Sequence, residues 1–230
     1  ETNRTYLAYG GGGGANDDKS GWYRGTGGGG ACVIPTDMMP PEQLYPYCRE
    51  KNYIMEEIVK QHADMAQFCS DTVNTLRVYS LVDADGNATI TGVLGRFGRM
   101  GNCVDNFHCG GICTLVDIET GETLDYAVDR AGNHCTEHPD THFPQKGFIV
   151  PNWQQIRQSV MAAAEKCAKL NRHAGWDVAI TEAGEAEFIE GNSRPNFDIL
   201  QAIDKEAARQ GIIQNILLEV NIGEEASKSG

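Results

Sequence analysis

Residues 175–196, GWDVAITEAGEAEFIEGNSRPN, constrain this chain more than any other stretch. Trp176 to Thr181 alternates bulky apolar residues with smaller or polar ones. Glu182-Ala-Gly-Glu185 supplies a turn, and Ala186 to Glu190 reads as a second short strand. The pattern predicts a β-hairpin. If the four turn residues close the loop, Thr181 faces Ala186, and counting outward places Asp177 opposite Glu190. Two carboxylates in register across antiparallel strands stand about 4.5–5.5 Å apart at Cβ and repel. Asn192, two residues beyond Glu190 on the same face, adds a neutral oxygen. Asp, Glu and Asn converging on one point are hard oxygen ligands, the kind that take Mg²⁺ alongside phosphate oxygens. The plainer alternative is a solvated acidic hairpin, and unpaired like charges in register argue against it.

With 230 residues the chain can bury a core, as one large domain or two small ones. Its 32 acidic and 19 basic residues give a net charge of −13, which argues against a nucleic-acid binder, whose footprint is normally basic. A nucleotide stays open, because it needs only a few local cations and backbone N–H groups. The eight cysteines fall in no CxxC pair, and reduced thiols in a cytoplasmic protein are expected. No apolar run approaches the ~18 residues of a membrane span, and no signal peptide is visible.

Two glycine runs, Gly10–Gly14 and Gly27–Gly30, lie near the start. The first reads as a linker. The second, Gly27, Gly28, Gly29 and Gly30, leads into the strand-like Ala31-Cys-Val-Ile34, as a phosphate-covering flap would. Residues 35–46 read as a turn-rich connector with a short helical piece near Glu42, and 52–62 as a strand running into polar residues. A second hairpin, 74–82 with 88–94, turns at Asp83-Ala-Asp-Gly-Asn87. That turn imitates a calcium loop but has Leu94 where Glu is required, so a plain turn is expected. A further hairpin turns at Glu119-Thr-Gly121, and residues 133–151 are irregular and histidine-rich. Asn152 with Gln155 reads as a capping box opening a helix over 153–171, with Ile156, Val160, Ala163, Cys167 and Leu170 on its buried face. Residues 198–219 read as helical, broken near Gly211. Antiparallel hairpins with late helices predict an α+β fold.

Several stretches together resemble the sugar-transfer-associated ATP-grasp family. They are YIMEEIVKQH (53–62), NTLRVYS (74–80), the GRFG–VDN–GG run (95–111), HPDTHF (138–143), VPNW (150–153), GWDVAIT (175–181) and FIEGNSRP (188–195). The resemblance implies an ATP-grasp fold: a small subdomain with the glycine flap over 1–60, a larger antiparallel-sheet subdomain with helices over 61–222, and a tail over 223–230. It implies an ATP-dependent carboxylate–amine ligase working through an acyl phosphate, in cell-surface polysaccharide or peptide modification. ATP, Mg²⁺ (two ions) and small-molecule carboxylate and amine substrates follow from that reaction class.

By position in the family, Asp177, Glu190 and Asn192 become the metal ligands. Arg77 and Arg96 become the cations on the transferring phosphoryl group. Glu56 or Glu57, with the backbone of Ile58 and Val59, matches the hinge that reads the adenine edge. Asn106, Gly110 and Gly111 face substrate, and Arg194 pairs with a substrate carboxylate or steadies its loop. On this reading Asp177→Asn or Glu190→Gln abolishes Mg²⁺-dependent nucleotide binding and leaves the fold intact or slightly stabilised.

The chain departs from the family at its front. No Lys-Pro precedes the glycine loop, and the usual preceding domain is missing, so either a fragment of a longer enzyme or a degenerate nucleotide site is expected. Two other functions stand beside ligation. One is a non-catalytic nucleotide-binding module. The other is a zinc-dependent hydrolase built on His134, Cys135, His138 and His142, against which Pro139 speaks by interrupting any regular helix.

Overall fold

The computed structural model describes residues 5–10, 32–35, 39–51, 53–57, 59–102, 104–105, 107 and 110–193. These form two antiparallel sheets and three helices. The first sheet has the order β2-β1-β3, from β1 (Thr5–Gly10), β2 (Cys32–Pro35) and β3 (Tyr53–Glu57). Thr5 pairs with Pro35 and Ala8 with Cys32, and Gly10, the first residue of the first glycine run, ends β1 opposite Tyr53. Residues 11–31, Gly27–Gly30 among them, lie outside the described residues.

The second sheet has seven strands in the order β10-β9-β4-β5-β6-β7-β8. Its strands are β4 (Thr75–Val82), β5 (Ala88–Phe97), β6 (Ile112–Leu115), β7 (Ala127–Val128), β8 (His134–Cys135), β9 (His173–Ile180) and β10 (Ala186–Asn192). The α+β class expected from the hairpins is present. β4 and β5 form the anticipated hairpin, and Asp83 is spent on the turn: its Oδ1 accepts from the backbone N–H groups of Asp85 and Asn87, each at 2.9 Å.

Period-2 alternation gives this sheet two chemically different faces. Leu76, Val78, Val93, Phe97, Trp176 and Val178 point to one face and join the main core. Helix α3 (Trp153–Cys167) covers that face through Trp153, Ile156, Val160 and Ala164. Phe68, just after the short α2 (Ala63–Ala66), stacks on Phe97 at 3.7 Å and meets Phe148 edge-on at 4.8 Å. The opposite face carries Thr75, Arg77 and Tyr79 on β4 beside a smaller apolar cluster that includes Leu94, Phe107, Cys113 and Leu115.

Three expectations are corrected here. The connector holds a full helix, α1 (Pro41–Lys51), with Pro46 inside it. Helix α3 ends at Cys167, and Leu170 is 90% exposed, so its buried face runs through Ala164 instead. Asn152 makes no side-chain cap; it adopts a left-handed φ of 50° and donates from Nδ2 to the Gly184 carbonyl at 3.2 Å. The tertiary partner wins over the local capping box because it joins α3 to the β9–β10 turn. Gly121, at φ 78°, seats the start of α3: a Cβ there would come within 2.5 Å of Trp153 Cγ. The helix expected over 198–219 lies outside the described residues.

The loop 138–143 is tied to the end of β5 by charge. Arg99 donates to both oxygens of Asp140 at 2.7 Å, and Met100 N–H adds a third bond at 2.9 Å. The hydrogen bond from Arg99 leads in holding the Asp140 carboxyl below its ordinary value of 3.8, at about 2. A depressed carboxyl stabilises the fold above its unfolded pKa and loses that contribution as pH falls through the folded one. The stability gap between wild type and Asp140→Asn should therefore narrow from about pH 4 down to about pH 2. Urea titrations at several pH values would check this; a gap that stays constant over that window contradicts it.

Candidate functional site

The site row begins at the β9–β10 hairpin, where the register differs from the simple count. The turn closes between Thr181 and Glu185: Thr181 N–H donates to the Glu185 carbonyl at 2.9 Å, and Gly184 takes φ 78° inside the loop. Ala186 therefore pairs with Ile180, one residue away from the expected partner. A bulge between Phe188 and Glu190 then restores the offset, and Glu190 faces Asp177 after all. Without that extra residue Glu190 would fall on the helix-covered face, because a one-residue slip reverses every side chain. Gly191 pairs with Trp176, and a Cβ on it would lie 3.1 Å from Trp176 Cζ3. The Glu-Gly-Asn spacing thus puts a minimal residue under the indole and sends both polar neighbours to the site face.

Across the sheet, Asp177 pairs with Arg77 on β4, and Thr75 on β4 pairs with Arg96 on β5. The two arginines converge on one carboxylate. Arg77 donates from Nε to Asp177 Oδ1 and from Nη2 to Oδ2 at 2.9 Å. Arg96 Nη1 approaches the same Oδ2 at 3.1 Å. On its other arm Arg96 Nη2 donates to Asp105 Oδ1 at 2.7 Å. Asp105 Oδ2 accepts from the Thr75 backbone N–H at 2.9 Å and from Thr75 Oγ1. Asp105 and Asp177 are each 5% exposed.

Asp177 and Glu190 stand in register as expected, but Asp177 is also the shared partner of two arginines. Burial alone would raise the Asp177 carboxyl; the Arg77 hydrogen bonds and the charges of Arg96 and Arg77 outweigh it and hold the group below the usual carboxylate range. The row carries two cations against three carboxylates, and Glu190 is the exposed one. Its Oε1 accepts from Asn192 Nδ2 at 3.1 Å. Arg96 Nε is buried and has no partner among the described residues.

Covalent chemistry by neighbouring groups is disfavoured. The Cys113 thiol, opposite Arg96 on β6, is pushed up to about 12, chiefly by burial, and the Tyr79 phenol likewise to about 12. Both stay protonated near neutral pH.

The remaining expected residues are distributed as follows. Glu56 and Glu57 lie on β3, paired with Leu7 and Tyr6 of β1, and Val59 follows that strand. The chain beyond it reaches the hairpin turn, where Glu182 N–H donates to the Lys60 carbonyl at 2.7 Å. Gly110 is an exposed turn residue at φ 92°, and Gly111 is buried just before β6. Ile58, Asn106 and Arg194 lie outside the described residues. Asp105 is not among the expected site residues: a lone Asp in an irregular loop carries no local signal, and its partners are Thr75 and Arg96.

The histidine loop does not gather a metal. His138 Nε2 is 2.7 Å from the Gly98 carbonyl, and its Nδ1 accepts from Asp140 N–H at 3.3 Å. His142 Nδ1 pairs with Glu137 at 2.7 Å, while the His134 ring lies against Tyr126 at 4.2 Å. Among the described residues no group of three His, Cys, Asp or Glu side chains is placed to hold a metal ion. The four residues of the zinc alternative are therefore not gathered into a metal site among the described residues. For Mg²⁺, the oxygens of Asp177, Glu190 and Asn192 are of the right chemical type on one face, though Asp177 is already engaged by the two arginines.

Cys48, Cys69, Cys113, Cys135 and Cys167 are free thiols. Among the described residues no helix is long and apolar enough to cross a membrane. Residues 44–216 match the family model described as sugar-transfer associated ATP-grasp. No curated protein and no solved structure matches the chain.

Proposed function

The chain belongs to the sugar-transfer associated ATP-grasp family, and from that premise we propose that it is an ATP-dependent carboxylate–amine ligase whose phosphoryl-transfer centre is the row Glu190–Asp177–Arg77–Arg96. Membership makes the chain an ATP-grasp module with ligase-like, ATP-dependent chemistry. The observation that carries the finer reading is the half-buried arginine pair converging on Asp177, set beside Glu190 and Asn192.

In the proposed reaction a substrate carboxylate oxygen attacks the γ-phosphorus of ATP. The bond to the β-γ bridging oxygen breaks, leaving ADP and an acyl phosphate. An amine nitrogen then attacks the acyl carbon, inorganic phosphate departs with the C–O bonding pair, and the nitrogen loses a proton. Arg77 and Arg96 bear on the charge that builds on the transferring group, where fixed guanidinium donors in a water-poor site act most strongly. Glu190 and Asn192, with Asp177, would hold Mg²⁺. When bound, that ion neutralises phosphate charge and orients the triphosphate. In this reading Gly27–Gly30 cover the phosphates and Glu56 or Glu57, with Ile58 and Val59, takes the adenine edge. In the same reading Asn106, Gly110 and Gly111 serve the substrate, and Arg194 pairs with a substrate carboxylate or steadies its loop. The family's sugar-transfer association favours cell-surface glycan or peptide modification.

Calorimetric titration of the folded chain with ATP, with and without excess Mg²⁺, tests this. Metal-dependent binding is expected. A folded chain that binds ATP under neither condition overturns the ligase reading for this chain.

A further inference from the structure

We infer that Asp105, a residue outside the expected site, is a positioning residue that fixes the plane of the Arg96 guanidinium for phosphate recognition; this rests on the ligase reading for the identity of the anion. Its two oxygens have separate tasks. Oδ2 is anchored to the scaffold by the Thr75 N–H and hydroxyl, and Oδ1 takes Arg96 Nη2 at 2.7 Å. Asp177 Oδ2 takes the opposite arm, Nη1, at 3.1 Å. One carboxylate at each terminal nitrogen prevents the guanidinium from turning about its Nε–Cζ bond. Each arm keeps a second N–H to offer a ligand, while Nε is buried and without a partner among the described residues.

An anchor serving only stability would not need this arrangement, because a buried ion pair is replaceable by apolar side chains at little or no cost. The backbone makes the arrangement possible. Thr75 and Arg96 are direct cross-strand partners, so the residue that secures Asp105 stands beside the residue Asp105 secures. The loop carrying Asp105 follows β5, and returning this carboxylate to β4 closes the end of the β4–β5 hairpin over the arginine.

The test is a double-mutant cycle on MgATP affinity with Asp105→Asn and Arg96→Lys, read beside the NMR signals of the Arg96 side chain. An Asn at 105 can accept at one partner but must present a donor to the other. Loss of a hydrogen bond to a charged group should weaken MgATP binding about tenfold. Lysine keeps the charge at 96 but has no second arm to be held, so Asp105→Asn should change affinity less than about twofold in that background. Equal losses in both backgrounds would show that Asp105 acts on the scaffold alone and would overturn the inference.

The NMR readout needs no ligand. Rotation about the Arg96 Cζ–N bonds should be slow in the wild type and fast in Asp105→Asn; unchanged rotation also overturns the inference. Slow rotation in the wild type that is released in Asp105→Asn, in a protein whose wild type binds no ATP, would support the positioning role and reject the ligase reading. Thr75→Val, which keeps the backbone bond and removes the hydroxyl, should produce a smaller change in the same direction if Asp105→Asn fails to fold.

Discussion

Asp177→Asn should lower the unfolding free energy by about 3 kcal/mol, because removing one partner of a buried ion pair costs about 3–5 kcal/mol. The sign is opposite to the one suggested by the sequence, where Asp177 looked like half of a repelling pair. In the fold it is the shared anion of Arg77 and Arg96, whose side chains are 15% and 13% exposed. An amide at that position leaves two desolvated guanidinium groups facing a neutral side chain. Its N–H₂ also points a donor at donors. Against a total stability of about 5–15 kcal/mol, such a loss is large. Chemical denaturation at neutral pH would measure it, and an unchanged or raised midpoint would show that the arginines do not depend on Asp177. Loss of nucleotide binding in this variant would therefore be a poor test of metal ligation, since it confounds ligation with the order of the arginines.

Glu190→Gln separates the two effects. Glu190 is exposed on β10, where its side chain meets Asn192 and the Asp177 carboxyl, and Asp177 keeps both arginines when Glu190 is replaced, so its removal leaves no buried charge unpaired. The fold should be unchanged. Loss of an outer-shell partner of a metal already weakens binding about 10–100-fold, and a direct ligand should matter at least as much. A drop of about 100-fold in Mg²⁺-dependent ATP affinity is expected, with metal-independent affinity little changed. Titrating ATP at several Mg²⁺ concentrations would show it. Binding of MgATP equal to wild type would remove Glu190 from the proposed metal site and require another carboxylate there.

The hairpin that carries Glu190 shows how a correct pairing can arise from an incorrect count. The residues Glu182–Glu185 look like a four-residue loop, and that loop happens to put Asp177 opposite Glu190. The fold instead closes one residue earlier, at Thr181 and Glu185, and inserts a bulge before Glu190. The two one-residue differences cancel. Nothing local in FIEGN announces the bulge; it becomes legible only once Trp176 is seen to occupy the space over Gly191. The start of α3 offers a contrary case. Asn152 and Gln155 match a capping box, yet the Asn152 side chain turns to Gly184 instead.

The sequence by itself determined what depends on near neighbours. Alternation in β4, β5 and β9 set which side chains share a face, Asp83 and Gly121 set their turns, and the ordered motifs carried the family. Only the tertiary structure decided which charges meet. Arg77 and Asp177 stand 100 residues apart, and their contact exists because β4 lies between β5 and β9 in the sheet. The two-residue repeat of a strand is fixed by backbone geometry and can be read from a short window. The choice of neighbouring strand is made by burial of the whole helix-covered face, and no short window contains it. Asp105 belongs to the second class: its role comes from a loop folding back on the first residue of β4.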